Sequence, residues 1–416
     1  MKLSEELESR GFVHQFVGES LSTIIDKEKR VIYHGIDPSA DSAHAGNFVV
    51  WVLLRHLALA GHKIIFLVGG GTGMLGDPKP DAERELKSAE AVDVNVQKLQ
   101  QQARDFFKDV PGEVEFVNNL EWLGELKFID FLRDIGKHFT VNELIKKDAI
   151  ARRLESGVGL SYTEFAYPIM QGYDYLQLYR SKNCTLQIGG SDQWGNIVAG
   201  VDLIRRKEQV ETFAVTIPLI VDKATGKKFG KSEGNAVWID AEKTSPYQFY
   251  QFWLNTSDES VIDYLKLFTF LSLEEISIVE RDSLVNPSAR AAQRVLAREV
   301  TTLVHSESSA KAAEQVTSVL FGEGDLSILD KNERETLVEN APNHTAAPGM
   351  MLVDLLVDSQ LATSKREART FIESGAVSVG DKKITDVEST ITSDYFTENL
   401  ALLRRGKKQV TVLILK

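Results

Sequence analysis

Two short groups of residues could do chemistry on a phosphate. The first is His44-Ala45-Gly46-Asn47, reached through Asp37-Pro38. It lies between a β-branched apolar run, residues 31–36, and an apolar stretch, residues 48–60, that reads as a buried helix closed by Gly61. A helix N-terminus offers unpaired N–H groups and the positive end of the peptide dipoles, so it attracts phosphate. Gly46 lacks the side chain that would hold a nucleotide off the backbone, and His44 and Asn47 supply neutral donors. The second group is Lys228-Phe229-Gly230-Lys231-Ser232, set among glycines from Gly226 to Gly234. Two lysines around a glycine suit a mobile loop that closes over a polyphosphate. Each group alone carries little weight, because a lone His-x-Gly-Asn recurs by chance and a basic glycine-rich turn is usually just solvated.

Two other patterns compete. Gly71-Thr72-Gly73-Met74-Leu75-Gly76 follows an apolar run at 63–69 and matches a dinucleotide fingerprint, which would make the chain an NAD-dependent dehydrogenase. That fingerprint also wants a second strand with an acid about 20 residues on. Here residues 88–108 read as helix, with Asp93 inside it. The other is a basic end, Arg404, Arg405, Lys407, Lys408 and Lys416, with no acid among residues 404–416. On its own it would fit a non-enzymatic RNA-binding protein, although the net charge of −12 disfavours nucleic acid as the sole partner.

These groups need elements to hold them. The runs 31–36 and 63–69 with the helix between them make a βαβ unit, and 114–117, 185–188 and 214–221 extend a parallel sheet between helical segments. After Pro246 the pattern is helical and aromatic-rich to about Leu320, with a capping-box signal at Ser272-x-x-Glu275. Glycines and prolines among polar residues mark 321–348 as a linker. Beyond it, Ser364-x-x-Glu367 opens a short helix that stops at Gly375. Strands at 376–379 and 384–387 follow around Gly380-Asp381, and a hairpin turns at Arg405-Gly406. The expected fold is α/β: a Rossmann-like parallel-sheet domain over 1–227, a loop and connector over 228–246, a helical domain over 247–320, the linker, and a small α+β domain over 349–416. One cysteine, Cys184, fits a reducing compartment and a core position. The Glu-rich N-terminus lacks the apolar core of a signal peptide, and the apolar stretch 48–54 is too short for a membrane span, so the expected location is cytoplasmic.

Longer strings carry a family resemblance. Tyr33-x-Gly35-x-Asp37-Pro38-x-Ala40-Asp41-Ser42, Gly76-Asp77-Pro78, 131–138 (FLRDIGKH), 187–196 (QIGGSDQWGN) and Thr244-Ser245-Pro246-Tyr247 occur in this order with the paired phosphate motifs. Together they resemble bacterial-type tyrosyl-tRNA synthetases, which are class I aminoacyl-tRNA synthetases. Departures are Asn47 for the second histidine of the first motif, Phe229 for methionine in the second, His34 where cysteine is usual, and a loop at 78–84 one residue shorter, in which Lys79 is only a substitute for the family's lysine.

The resemblance implies activation of L-tyrosine by ATP, with Mg²⁺ as its counter-ion and no protein metal ligands, then transfer to tRNA-Tyr. Tyr33 and Asp174 would bind the phenol, Asp77, Tyr167 and Gln171 the ammonium, and Gln193 would sit near the carboxylate. Gly190 and Asp192 would take the ribose, and Gly35, Asp37, His44, Gly46, Asn47 and Ser232 would complete the ATP site. Lys228, Lys231 and Arg84 would bind pyrophosphate as it forms. Residues 364–388 resemble a small RNA-binding domain shared with a ribosomal protein, with Lys365, Arg366, Arg369, Lys382 and Lys383 toward phosphates beside the basic end. A homodimer interface would include the segment near 131–145.

Overall fold

The β-branched apolar runs form a six-stranded sheet. Its strands are β1 (Gln15–Val17), β2 (Val31–Ile36), β3 (Lys63–Val68), β4 (Val114–Asn118), β5 (Cys184–Gly190) and β6 (Phe213–Ile217), in the order β1-β6-β5-β2-β3-β4. All neighbours are parallel except β1, which caps the edge antiparallel to β6 and was not foreseen. The computed structural model describes every residue except 79–81, 83, 84, 222, 225, 227, 228, 230, 233, 234, 323, 324, 407 and 408, and only the backbone at Lys231, Ser232 and Asn235.

The helix Ala45–Leu59 joins β2 to β3 and buries Phe48, Trp51, Val52, Leu53 and Leu54, so it is apolar on nearly every face. Full burial of each such side chain stabilises by roughly 1.5–3 kcal/mol. Helices Ala89–Phe107, Tyr162–Lys182 and Trp194–Glu208 serve the other connections. Cys184 is buried in β5 as a free thiol. The strand expected over 214–221 stops at Ile217, because Pro218 has no N–H to continue the ladder. A separate antiparallel pair, β7 (Lys231–Ser232) and β8 (Asn235–Ala236), follows it in the chain.

The chain divides into two units, residues 1–244 with 255–296, and residues 245–254 with 297–416. The helical stretch expected as one domain over 247–320 is therefore shared between them. Ser272 does cap Leu273–Val285 through the N–H of Glu275, as its capping box predicts. Among the described residues no helix is long and apolar enough to cross a membrane.

In the second unit, the stretch read as a linker is structured. It carries the helix Lys331–Asn340 and the strand β9 (Asn343–Ala346). With β10 (Val377–Val379), β11 (Lys382–Ile384), β12 (Leu400–Arg405) and β13 (Gln409–Leu415), β9 makes a sheet in the order β11-β10-β12-β13-β9. The β9 strand lies parallel to β13, with Thr345 opposite Ile414. Polar, proline-flanked Asn343-His344-Thr345-Ala346 has no apolar alternation, so only long-range pairing makes it a strand. The 405–406 hairpin and the 380–381 turn lie where expected, although β11 begins two residues earlier than the reading.

Arg404 closes this unit. Its guanidinium donates to the carbonyls of Leu320 and Val319, at 2.7 and 2.5 Å, at the end of the helix Glu307–Phe321. Helix C-termini leave carbonyls unpaired and carry partial negative charge, so a cation there is doubly satisfied. Two of the Arg404 donors are thereby spent on the protein rather than on a phosphate. Arg404→Ala is expected to destabilise the second unit by roughly 1.5–3 kcal/mol, the range for hydrogen bonds to a charged group. Arg404→Lys should recover only part, because an ammonium cannot span two carbonyls as a planar fork does. Urea unfolding of both variants checks this, and an unchanged midpoint in Arg404→Ala contradicts it.

Candidate active site

The strand order reverses between β2 and β5, since β3 and β4 build outward from one and β6 from the other. In such sheets the carboxyl ends at the reversal leave a crevice for ligands. A cavity of about 540 Å³ opens there. Its walls include Gly35, Asp37, Asp77, Gln171, Gly190, Asp192 and Gln193. Tyr33, Tyr167 and Asp174 lie at its buried end, while His44, Gly46 and Asn47 lie where it is less covered. Residues spread from 33 to 193 in the chain thus share one space.

At the buried end Asp174 is 1% exposed. Its carboxylate accepts from Trp122 Nε1 at 2.7 Å and from Asn119 Nδ2 at 2.9 Å. Burial pushes its pKa up to about 7, and those two donors work against the rise. Asn119 also donates to Thr72 Oγ1 at 3.0 Å, and Thr72 donates to Asp37 at 2.7 Å. Tyr167 donates its hydroxyl to the other oxygen of Asp37, also at 2.7 Å. Burial, then the nearby carboxylates, raise the phenols of Tyr33 and Tyr167 well above the ordinary tyrosine value, so both remain protonated donors.

The glycines after β3 serve this chain of bonds. A Cβ on Gly69 would strike Thr72 and Asp37, and one on Gly73 would lie 2.6 Å from the Pro38 ring. Residues 72–74 form one 3-10 turn, and the next helix starts only at Ala89. The dinucleotide reading fails on this geometry, because among the described residues no helix N-terminus follows the glycines before Ala89. Asn119, Trp122 and Thr72 were not found from sequence. The one available signal was the Asn118-Asn119 pair at the carboxyl end of a strand.

Midway along the cavity, Asp77 accepts from Gln193 Nε2 at 2.9 Å and from Asn196 Nδ2 at 3.1 Å. Gln187 lines the wall with its Oε1 buried and, among the described residues, without a hydrogen-bond partner; the sequence placed it in a family string without a role. His34 is buried, and burial lowers its pKa to about 4. Its Nδ1 lies 3.1 Å from the carbonyl of Ile188. A carbonyl only accepts, so Nδ1 carries the proton and Nε2 is left as an acceptor.

At the more open end, His44 caps Ala45–Leu59: its Nδ1 accepts from the N–H of Asn47 at 3.2 Å, and Asn47 Oδ1 returns a bond to the His44 N–H. A Cβ on Gly46 would come 3.0 Å from the His44 ring. Backbone bonds from Ala45 to Val237 and from Ile239 to Ala43 lay the exit of the second motif along this turn. Phe229 is buried, its ring 4.8 Å from that of Tyr264 and 5.1 Å from that of Phe268. Lys228, Gly230 and Arg84 lie outside the described residues, as does Lys79. Lys231 and Ser232 form a short strand whose side chains are likewise outside the description.

In the second unit, Arg366, Arg369, Lys382 and Lys383 are exposed. Lys365 pairs with Asp354 and Lys382 with Asp394, while Arg405 lies over the Phe371 ring. Lys407 and Lys408 are outside the described residues.

Residues 26–322 match the family model of class I tRNA synthetases for tryptophan and tyrosine, and residues 333–413 match that of the tyrosine–tRNA ligase C-terminal domain. A tyrosine–tRNA ligase of Lactococcus lactis is 47% identical over 99% of this chain and 100% of that protein. Tyrosine–tRNA ligase 2 of Enterococcus faecalis is 46% identical over 98% of each. The crystal structure of a C-terminally truncated mitochondrial tyrosyl-tRNA synthetase from Aspergillus nidulans is similar at a TM-score of 0.69 and 29% identity, covering 77% of this chain and 94% of that one.

The raised Asp174 carboxyl has a signed consequence. It binds protons more readily folded than unfolded, so its contribution to stability is lost as pH climbs from about 4 through its folded value of about 7. Asp174→Asn removes that loss. The variant should gain stability over the parent progressively between pH 4 and 7, and hold the gain above. Urea unfolding of both proteins across that range checks it, and the neutral buried histidines cancel in the difference. A pH-independent difference would contradict the burial argument.

Proposed function

This chain belongs to the tyrosine–tRNA ligases of the class I tRNA synthetases, and we propose that its cavity seats tyrosine at the Asp174 end and ATP toward His44. It activates tyrosine with ATP and transfers it to tRNA. Neither a dehydrogenase nor a non-enzymatic RNA-binding protein has support. One observation carries the assignment of the pocket: a phenol donor, Tyr33, and a carboxylate acceptor, Asp174, both 1% exposed, line one cavity. A substrate hydroxyl both accepts and donates, so it satisfies the two together. A phenyl ring would leave the Tyr33 hydroxyl without this acceptor, at roughly 1–3 kcal/mol for a buried group, and Asp174 with only its two protein donors.

With the phenol seated there, Tyr167 and Asp77 flank the substrate ammonium, with Gln171 beside them. Gln193, held by Asp77, faces the carboxylate. That carboxylate is already ionised at neutral pH, so its attack on the α-phosphorus needs no general base. The bond from phosphorus to the bridging oxygen breaks and MgATP releases pyrophosphate. Rate enhancement comes from alignment and from charge placed where it develops. Lys228, Lys231 and Arg84 take the pyrophosphate, with His44, Asn47, Gly46 and Ser232 beside it. The ribose lies against Gly190 and Asp192, where Nε2 of neutral His34 accepts a hydroxyl in place of the family's usual cysteine contact. The terminal ribose hydroxyl of tRNA then attacks the tyrosyl carbonyl and AMP leaves.

For tRNA, Arg366, Arg369, Lys382, Lys383 and Arg405, with Lys365, Lys407 and Lys408, form the phosphate-facing set. Exposed Phe128 and Ile129 beside 131–145, and Val141 within it, support a homodimer through that face. The working location is the cytoplasm, where tRNA is charged.

ATP–pyrophosphate exchange tests the reading. Exchange should require tyrosine, and exchange driven better by tryptophan would refute it. Asp174→Ala should impair tyrosine activation severely. Tyr33→Phe should be milder, costing about 0.5–1.5 kcal/mol as one neutral hydrogen bond. Equal and negligible effects of the two on preference for tyrosine over phenylalanine would remove the pocket assignment. Lys231→Ala should lower kcat and kcat/KM together while tyrosine affinity holds, because its contact forms mainly in the transition state. Weaker tyrosine binding at an unchanged chemical rate is the contrary result.

A further inference from the structure

Away from the cavity, one buried ion pair has no place in the reaction just described. Arg153, at the end of the short helix Asp148–Glu155, has a side chain 0% exposed, and that of its partner Glu164 is 2% exposed. Arg153 Nη2 reaches both oxygens of Glu164, at 3.0 and 3.3 Å. Its Nε donates to the carbonyl of Gly159 at 3.2 Å, and its Nη1 to the carbonyl of Ala82. Glu164 is itself the N3 residue of the helix Tyr162–Lys182 and forms a capping box with Ser161. One turn further on that helix is Tyr167, and beyond it Gln171 and Asp174.

A single guanidinium therefore joins two parts of the site that no backbone pairing connects. One is the start of the helix that carries the tyrosine-side residues. The other is the loop after Asp77, gripped at Ala82, two residues before Arg84. A charge this deeply buried is tolerated only when it is paired and hydrogen-bonded, and the planar fork lets it hold a carboxylate and two carbonyls at fixed angles. The carbonyl of Ala82, an exposed residue, has no need of a buried arginine for its own solvation, since water would serve. The tether fixes position.

We propose that Arg153, held by Glu164, is a positioning residue for adenylate formation: it sets the ATP-side loop at Ala82 relative to the tyrosine-side helix. The proposal rests on the reading of Arg84 as a pyrophosphate contact. Misplacing such a group weakens the step without removing any atom that touches substrate.

The test uses the full chain with Arg153→Lys, Arg153→Met and Glu164→Gln. Arg153→Lys keeps the charge and one bond but cannot span the three partners. It should lower kcat/KM for ATP in pyrophosphate exchange by roughly ten- to a hundredfold, while tyrosine affinity measured without ATP stays within about twofold. Hydrogen–deuterium exchange should quicken in the peptide containing Ala82 and not in peptides from the central strands. Arg153→Met should show the same split with a lower Tm, and Glu164→Gln, which keeps one acceptor oxygen but loses the other and the countercharge, a smaller one. Unchanged ATP kinetics in folded Arg153→Lys overturns the proposal. So does an equal loss of tyrosine affinity and ATP kinetics, which marks the pair as core packing. Should Arg153→Met fail to fold, Arg153→Lys and Glu164→Gln carry the decision. A parent chain with no tyrosine-dependent exchange would instead sink the reaction reading, and the hydrogen-exchange comparison would still judge the tether.

Discussion

Burial of the Asp174 carboxylate constrains most of what surrounds it. An ionised carboxyl out of water must be met by donors, and here they come from a different part of the chain: Asn119 and Trp122, just past β4. Asn119 in turn needs Thr72, and Thr72 needs Asp37. The path crosses from the long pocket helix to the loops after β4, β3 and β2. Each loop is placed by satisfying the next polar group, since partly satisfied buried networks are costly. Gly69 follows from the same demand, because a Cβ there would strike Thr72 and Asp37, both members of the path.

A second constraint is where the sheet reverses. The reversal between β2 and β5 brings Gly35 and Asp37 to face Gly190 and Asp192 across one crevice. The helix Ala45–Leu59 starts at the same edge, where Ala45 gives its N–H to the Val237 carbonyl and Asn47 gives its N–H to His44 Nδ1. Neutral histidines suit this setting. His34 at about 4 stays uncharged at neutral pH, and His44 spends Nδ1 on its own helix cap.

The two units use arginine differently from the exposed basic residues beside them. Arg153 and Arg404 both turn their guanidinium groups on backbone carbonyls, one at Gly159 and Ala82, the other at Val319 and Leu320. In sequence both sit among ordinary basic residues, Arg152-Arg153 and Arg404-Arg405. Nothing in residue type separates the member of each pair that turns to carbonyls from its neighbour. Which one turns inward depends on which carbonyls the tertiary fold leaves unpaired nearby.

Much of the architecture was legible because its signals are local. Period-two and all-apolar runs mark β2, β3 and the helix between them, and Ser272 and Ser364 announce their helices by the side-chain oxygens that cap them. Ordered motif strings pointed to the family and to the residues that line the cavity. What sequence could not supply was contact between distant segments. The strand β9 has no strand pattern and exists only because β13 offers it a partner. Likewise Asn119, Trp122 and Thr72 are unremarkable residues until Asp174 is buried against them. Local propensity speaks for a few residues at a time, whereas satisfying a buried polar group depends on whatever the whole fold brings within about 3 Å.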